Sequence, residues 1–399
     1  MIPSTDADPF SPELLADPLP WHEWLRDAGP VVHLAQYDAF LLGRHAEVHA
    51  ALSDWQRFQS AAGVGVANFL IEKPWRPPSL LLEADPPRHD APRAVLSKIL
   101  GPRALRRLRE QWFADAEALV DEVVTDGELD AVPALAEPFP LRVFPDAVGL
   151  SEQGREHLLP YGDFAFNAFG PANELVRRGQ DGIAEHGSWV GEQCRREMLR
   201  PGGFGAAIWA AADRGDLTHE QAPLVVRSLL TAGVDTTVHG IGAVLHALAR
   251  SPEQWARLRA RPELARTAFD EAVRWESPVQ TFFRTTTEQV EIGGEVLPSG
   301  SKVMLSLAAA NRDPRRWSRP DDFDLSRDPS GHVGFGMGIH QCIGQHIARL
   351  ESEALLTALV HRVERLELAG EPVRHLNNTL RALASLPLRI EPVRPRAAC

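Results

Sequence analysis

Residues 335–349 read Phe335-Gly336-Met337-Gly338-Ile339-His340-Gln341-Cys342-Ile343-Gly344-Gln345-His346-Ile347-Ala348-Arg349, with a helical pattern beginning just past the cysteine. No other stretch limits the fold as strongly. Glycines permit positive φ and let another body approach the backbone closely. A cysteine at the foot of a helix has its thiolate favoured by the helix dipole and by free N–H groups. A single thiolate on such a loop suits one axial bond to a flat cofactor lying against the backbone. Other readings exist for a lone cysteine. It can be a small buried apolar residue. A zinc site needs three or four ligands, and His340 with Cys342 offers two. A cysteine hydrolase could use His340 as its base, but no oxyanion-hole motif accompanies it.

The body around that loop reads as mostly helical. Apolar residues recur at helical spacing over 102–124, 150–167, 172–199, 217–250, 262–275 and 343–366. Short strand patterns fall at 31–33 and 39–42, then at 280–283, 290–292, 302–305 and 386–391. The layout is mainly α (α+β), a helical body with a small segregated β region. A length of 399 residues allows two or three domains. No linker or repeat divides the chain, so a single catalytic domain over 1–399 is expected. From 309 to 333 turn formers replace periodicity, predicting a long loop ahead of the cysteine.

The net charge of −12 argues against a nucleic-acid partner held by a broad basic surface. Cys194, Cys342 and Cys399 form no disulfide framework, which points to a reducing compartment; Cys399 is expected to be exposed. The N-terminal stretch is acidic and Pro-rich, unlike a signal peptide, and no apolar run is long enough to span a membrane. A cytoplasmic, membrane-free protein is expected.

The cysteine loop resembles the haem-thiolate loop of the cytochrome P450 monooxygenases, FGxGxHxCxG followed by a helix, at every fixed position. The resemblance implies the P450 fold, haem b as cofactor, and Cys342 as the iron ligand, with Phe335 and Gly336 against the haem. Three further motifs follow the family's order. Glu271-Ala272-Val273-Arg274 matches the ExxR pattern, whose i, i+3 spacing puts both side chains on one helix face. Their implied role is structural, tying the core to the segment near Arg312–Arg327. Many family members carry an arginine two residues after the proline of that segment. This chain has Asp322 after Pro320, which leaves the third member of the network open.

Ala232-Gly233-Val234-Asp235-Thr236-Thr237 lies inside a helical pattern and matches the family's oxygen-activation motif. Glycine and threonine weaken a helix locally, through backbone freedom and hydroxyl bonds to the i−4 carbonyl. By the resemblance Asp235 and Thr236 are catalytic and relay protons to iron-bound dioxygen. Asp85-Pro86-Pro87-Arg88-His89-Asp90-Ala91-Pro92-Arg93 resembles the family's DPPxHxxxR. His89 and Arg93, at i and i+4, reach one anionic object, a haem propionate in the family; Arg284 and His340 match its other usual partners.

Finer similarity links KPWRPPSLxLEADPP, FNAFGPxNEL, VRSLLTAGVDTTVHGIGA and ESPVQTFFRTTT to the bacterial P450s that oxidise para-substituted benzoic acids. It implies that Arg76, Ser79, Ser228 and Arg227 hold the substrate carboxylate. Leu82, Phe166, Phe169, Ala232, Val279 and Phe282 would enclose the ring. Expected reactions are O-demethylation of 4-methoxybenzoate and hydroxylation of 4-alkylbenzoates. Alternatives are another small or fatty carboxylic acid as substrate, or a non-catalytic haem-thiolate binding protein. No flavin or Fe–S motif is present, so electrons are expected from a [2Fe–2S] ferredoxin and its NADH-dependent reductase. Arg103, Arg106, Arg107 and Arg109 offer that partner a basic docking patch on a protein expected to be monomeric.

Overall fold

The structure, a computed structural model, describes residues 2–124 and 127–393; Cys399 lies outside them. The centre of the fold is the helix Asp235–Arg250, in which thirteen of sixteen residues are buried. A helix apolar nearly all round has to sit inside the protein. Around it pack Ala265–Glu276, Gln345–Arg362 and Leu158–Asn167, and Pro102–Val123 packs against Gln345–Arg362. Their buried faces merge into one large core.

Two helical readings need correction. The 217–250 pattern is two helices, Gln221–Ala232 and Asp235–Arg250, separated at Gly233 and Val234. A Cβ at Gly233 would collide with the Phe144 ring, so close packing fixes the glycine there. The 343–366 pattern stops being helical at Arg362. Val363–Leu368 is a strand, paired antiparallel with Pro387–Pro392, which in turn pairs with Gly127–Asp130. Tertiary pairing overrides the apolar spacing there.

The strands near the start join two of those in the last third in one sheet, in the order Ser4–Thr5, Val32–Leu34, Ala39–Leu42, Lys302–Ser306, Thr281–Thr286, Phe58–Gln59, whereas Val290–Ile292 pairs apart with Glu295–Leu297 and Pro387–Pro392 belongs to the sheet of Val363–Leu368. Ala39–Leu42 runs parallel to Lys302–Ser306, with Ala39 opposite Lys302. Thr281–Thr286 runs antiparallel to Lys302–Ser306, with Arg284 opposite Val303. This register sets Arg284 at the floor of the central cavity. The loop expected over 309–333 begins later, because Leu307–Asn311 is a short helix capped by Ser306; from Arg312 to Met337 there is no helix or strand.

Buried histidines make the fold acid-sensitive. His22 and His246 are 4% and 5% exposed. Burial pushes His22 down to about 3, helped by Arg26, Arg381 and Arg312. Burial likewise lowers His246 to about 4, against the pull of Glu276. Between those values and 6.5 the unfolded chain binds protons that the folded chain refuses. Stability therefore rises with pH across that window and is lost on acidification. At ~1.4 kcal/mol per pKa unit, His246 alone accounts for up to about 3 kcal/mol. Urea midpoints should fall from pH 7 to pH 4.5, and His246→Leu should flatten the fall; parallel curves for the two proteins would refute the assignment.

Candidate active site

Phe335–Gly344 forms one wall of a cavity whose empty space, its open mouth included, is about 1640 Å³. Gly336 and Gly338 both sit at φ +66°, a conformation that favours glycine. The turn is closed by the Cys342 N–H donating to Phe335 O at 2.7 Å. Cys342 Sγ faces the cavity beside the start of the Gln345–Arg362 helix. Enclosure raises its thiol above the ordinary value, while the Gly344 N–H, Arg93, Arg349 and the Gln345 N–H pull the other way. Those donors suit a thiolate that gains a positive partner across the cavity. Phe335 is held by the Arg349 guanidinium, 4.6 Å from its ring centre.

The opposite wall is the broken helix. Ala232, Gly233, Thr236, Thr237 and Gly240 line the cavity, and small residues there leave a flat space. Thr236 Oγ1 donates to Ala232 O at 2.8 Å, a hydroxyl bond across the break. Asp235 is not on the cavity. One residue turns about 100° around a helix, so its carboxylate faces Gly162 and is 3% exposed. His239 Nε2 lies 3.0 Å from Asp235 Oδ1, although the two are not aligned as a hydrogen bond, and Asp235 Oδ2 has no partner among the described residues. Sequence reasoning missed His239; its i+4 spacing from Asp235 was the available signal.

A third side supplies cationic and donor groups. Arg284 is 2% exposed, and its Nη1 donates only to a backbone carbonyl, Phe283 O at 2.8 Å. Burial lowers Arg284 to about 10, with Asp85 opposing. His89 is 2% exposed and neither ring nitrogen has a hydrogen-bond partner among the described residues. Buried polar groups are normally paired, so a histidine with both nitrogens orphaned fits an anionic ligand; it does not itself line the cavity and meets the His340 ring edge-on at 4.8 Å. Arg93 Nη1 donates to Gln341 O at 2.7 Å and so braces the cysteine loop. His340 departs from expectation. Its Nδ1 and Nε2 face Leu81 O and Asp85 Oδ1, each at 3.0 Å, so neither nitrogen is free for a propionate. Asp85 also accepts the Ser60 and Ala61 N–H groups, which fixes it beside His340. Together the thiol, the flat small-residue wall and the orphaned donors fit haem b: Cys342 would take the iron, and His89, Arg93 and Arg284 the propionates.

At the far end, Arg76, Ser79, Arg227 and Ser228 all border the cavity. Ser79 Oγ and Ser228 Oγ are 3.2 Å apart. Arg227 Nη2 donates to Pro77 O at 2.7 Å, and Arg76 Nη1 is paired with Glu83 at 3.0 Å. Glu83 was not singled out by sequence. Between this end and the cysteine, Phe166 and Phe169 meet edge-on at 5.7 Å, and Phe169 meets Phe282 at 6.0 Å. Leu82 and Val279 pack against the same cluster.

Behind the cysteine loop, Glu271 and Arg274 are both 0% exposed and form a double contact at 2.7 and 2.8 Å. Arg274 also donates to Asn311 O, Pro320 O and Asp322 O. The open third position is filled by Arg327, whose Nε donates to Glu271 Oε1 at 2.9 Å. Asp322 contributes its backbone carbonyl to Arg274, and its side chain pairs with Arg319.

A thiol loop facing a broken helix across a flat cavity defines a haem-thiolate oxygenase site, and the chain belongs to the cytochrome P450 family. The family model described as Cytochrome P450 matches residues 204–391. Over 392 residues, covering 98% of this chain and 95% of the relative, the sequence is 55% identical to cytochrome P450 CYP199A2 of Rhodopseudomonas palustris. It is 31% identical to beta-dihydromenaquinone-9 omega-hydroxylase of Mycobacterium tuberculosis, covering 97% of this chain and 79% of that one. The solved structure of CYP109Q5 from Chondromyces apiculatus superposes with a TM-score of 0.81 at 31% identity, covering 98% of this chain and 100% of that one. The protein is therefore a monooxygenase with haem b as cofactor. Among the described residues no helix is long and apolar enough to cross a membrane.

Proposed function

We propose that residues 1–399 form one catalytic domain that hydroxylates or O-demethylates para-substituted benzoic acids. The observation that carries this reading is the gathering of Arg76, Ser79, Arg227 and Ser228 at one end of the cavity that Cys342 also borders. Two guanidinium groups and two hydroxyls bind a carboxylate through charge-assisted hydrogen bonds. The edge-on phenylalanines make a slot for a flat ring, so the para substituent points towards the iron that Cys342 would hold. Clamping the acid at a distance selects the position attacked, because reaction follows placement.

Bound haem supplies dioxygen activation, with the thiolate's electron density favouring O–O cleavage. The chain's own task is to manage protons and water. Thr236 Oγ1, which donates to Ala232 O, can turn to the cavity and pass a proton there. Asp235, the preceding residue, would recharge that hydroxyl on turning from Gly162 towards the break, and His239 stands 3.0 Å from its carboxylate. The phenylalanine slot excludes bulk water while substrate is bound.

Electrons come from a [2Fe–2S] ferredoxin reduced by an NADH-dependent reductase, and the protein works as a cytoplasmic monomer. On the helix Pro102–Val123, Arg103, Arg106 and Arg107 are exposed to meet the ferredoxin. Arg109 takes little part, since Glu353 holds it at 2.7 and 3.2 Å.

Titrating the holoenzyme with 4-methoxybenzoate should move its Soret band as the acid displaces iron-bound water. Anisole, which lacks the carboxylate, should leave it unmoved at the same concentrations. Arg76→Leu should weaken the benzoate titration about 10- to 100-fold, the value of a charged hydrogen bond. A haem band that ignores benzoates and responds to long-chain acids would overturn the substrate class.

A further inference from the structure

Glu83 is 6% exposed and does not border the catalytic cavity; it lies between that cavity and a shallow surface groove lined by Asp85, Arg88 and Trp55. One of its oxygens, Oε2, accepts both Arg76 Nη1 at 3.0 Å and the Ser79 N–H at 2.7 Å. Glu83 thereby fixes the two residues that open the carboxylate end. The Arg76 guanidinium is also held by Pro77 O at 3.1 Å, yet its Nε is buried and has no partner among the described residues. A buried guanidinium N–H without an acceptor is costly, so Arg76 rests mainly on Glu83 and Pro77 O. Arg227 feels the same centre. Burial lowers its affinity for a proton, Arg76 lowers it further, and Glu83 opposes both.

The charge sum is informative. Arg76 and Arg227 bring two positive charges to this end of the cavity, and Glu83 returns one negative charge from behind. One singly charged acid brings the end to neutrality. A doubly charged head group would leave an excess negative charge in a poorly solvated place, where it is strongly disfavoured.

We propose that Glu83 is a positioning and specificity residue: it aims Arg76 at the substrate and sets the net charge of the cradle so that only singly charged acids are accepted. This rests on the carboxylate end assigned above, and the experiment separates the two. Binding to the holoenzyme is followed by isothermal calorimetry with 4-methoxybenzoate and with 4-methoxyphenylphosphonate. The phosphonate shares the ring and becomes doubly charged at about pH 8.5. The wild-type protein should bind the phosphonate at least about tenfold more weakly than the benzoate at that pH. Glu83→Gln, which keeps a hydrogen-bonding oxygen and removes the charge, should narrow this ratio at least about tenfold. Glu83→Asp should keep the wild-type preference. A ratio unchanged in Glu83→Gln, with the far-ultraviolet spectrum intact, would overturn the role of Glu83 and leave the carboxylate end standing. If neither acid binds the wild-type protein, the carboxylate end itself is wrong, and the inference falls with it. Should Glu83→Gln fail to fold, the wild-type protein still decides: its phosphonate affinity must drop as pH rises from about 6 to about 8.5, whereas a constant or rising affinity defeats the proposal.

Discussion

Cys342→Ser should lower ferredoxin-supported product formation at least about a thousandfold, equivalent to about 4 kcal/mol of barrier. Serine is nearly isosteric, and the turn does not depend on sulfur: it is closed by the Cys342 N–H to Phe335 O bond and by the glycines at 336 and 338. The loop should therefore keep its shape. What is lost is a sulfur that can be held as a thiolate opposite a positive partner, since a serine hydroxyl stays protonated in the same place. The Gly344 and Gln345 N–H groups and the nearby charges of Arg93 and Arg349 then have no anion to stabilise. The test measures turnover beside the thermal midpoint. Intact folding with turnover within tenfold of wild type would show that Cys342 is not the iron ligand.

The second large effect falls on stability. Arg274→Met should cost about 3–5 kcal/mol, because it leaves the Glu271 carboxylate buried opposite no arginine on its own helix. Three backbone carbonyls of the irregular segment, those of Asn311, Pro320 and Asp322, lose their donor in the same step. That segment runs directly into the cysteine loop, so haem content should fall along with the urea midpoint. Glu271→Leu combined with Arg274→Met should be less damaging than the sum of the two single changes, since both charges of the helix pair go together and the remaining Arg327 keeps the carbonyls of Ser318 and Arg319. A double variant as unstable as that sum would mean the pair does not act as a unit.

The legibility of this protein in its sequence follows from how local each device is. Cys342 and its glycines are consecutive, and a turn built from neighbouring residues carries its chemistry in the order of letters. Thr236 and Arg274 were legible for a related reason, because each sits at a fixed helical spacing from its partner. Arg327 was not. It reaches Glu271 across a segment without period, where the irregular backbone alone decides which arginine arrives. Glu83 carries no spacing in sequence that marks it; only the fold brings Ser79 N and Arg76 Nη1 onto one of its oxygens. The strand beginning at Val363 was read as helix because its apolar residues continue the preceding spacing, and its pairing partner, Pro387–Pro392, lies too far along the chain for a local pattern to register.

The broken helix has a geometrical consequence. Ser228 stands near its start and Thr236 just past the break, and both face the cavity. At about 1.5 Å per residue the two hydroxyls are separated by roughly 12 Å along the axis. The helix is thus a ruler, with one graduation where an acid group is caught and another where oxygen chemistry happens. What it measures is the length of the molecule lying beside it, so two acids of equal polarity and different reach would be oxidised at different atoms.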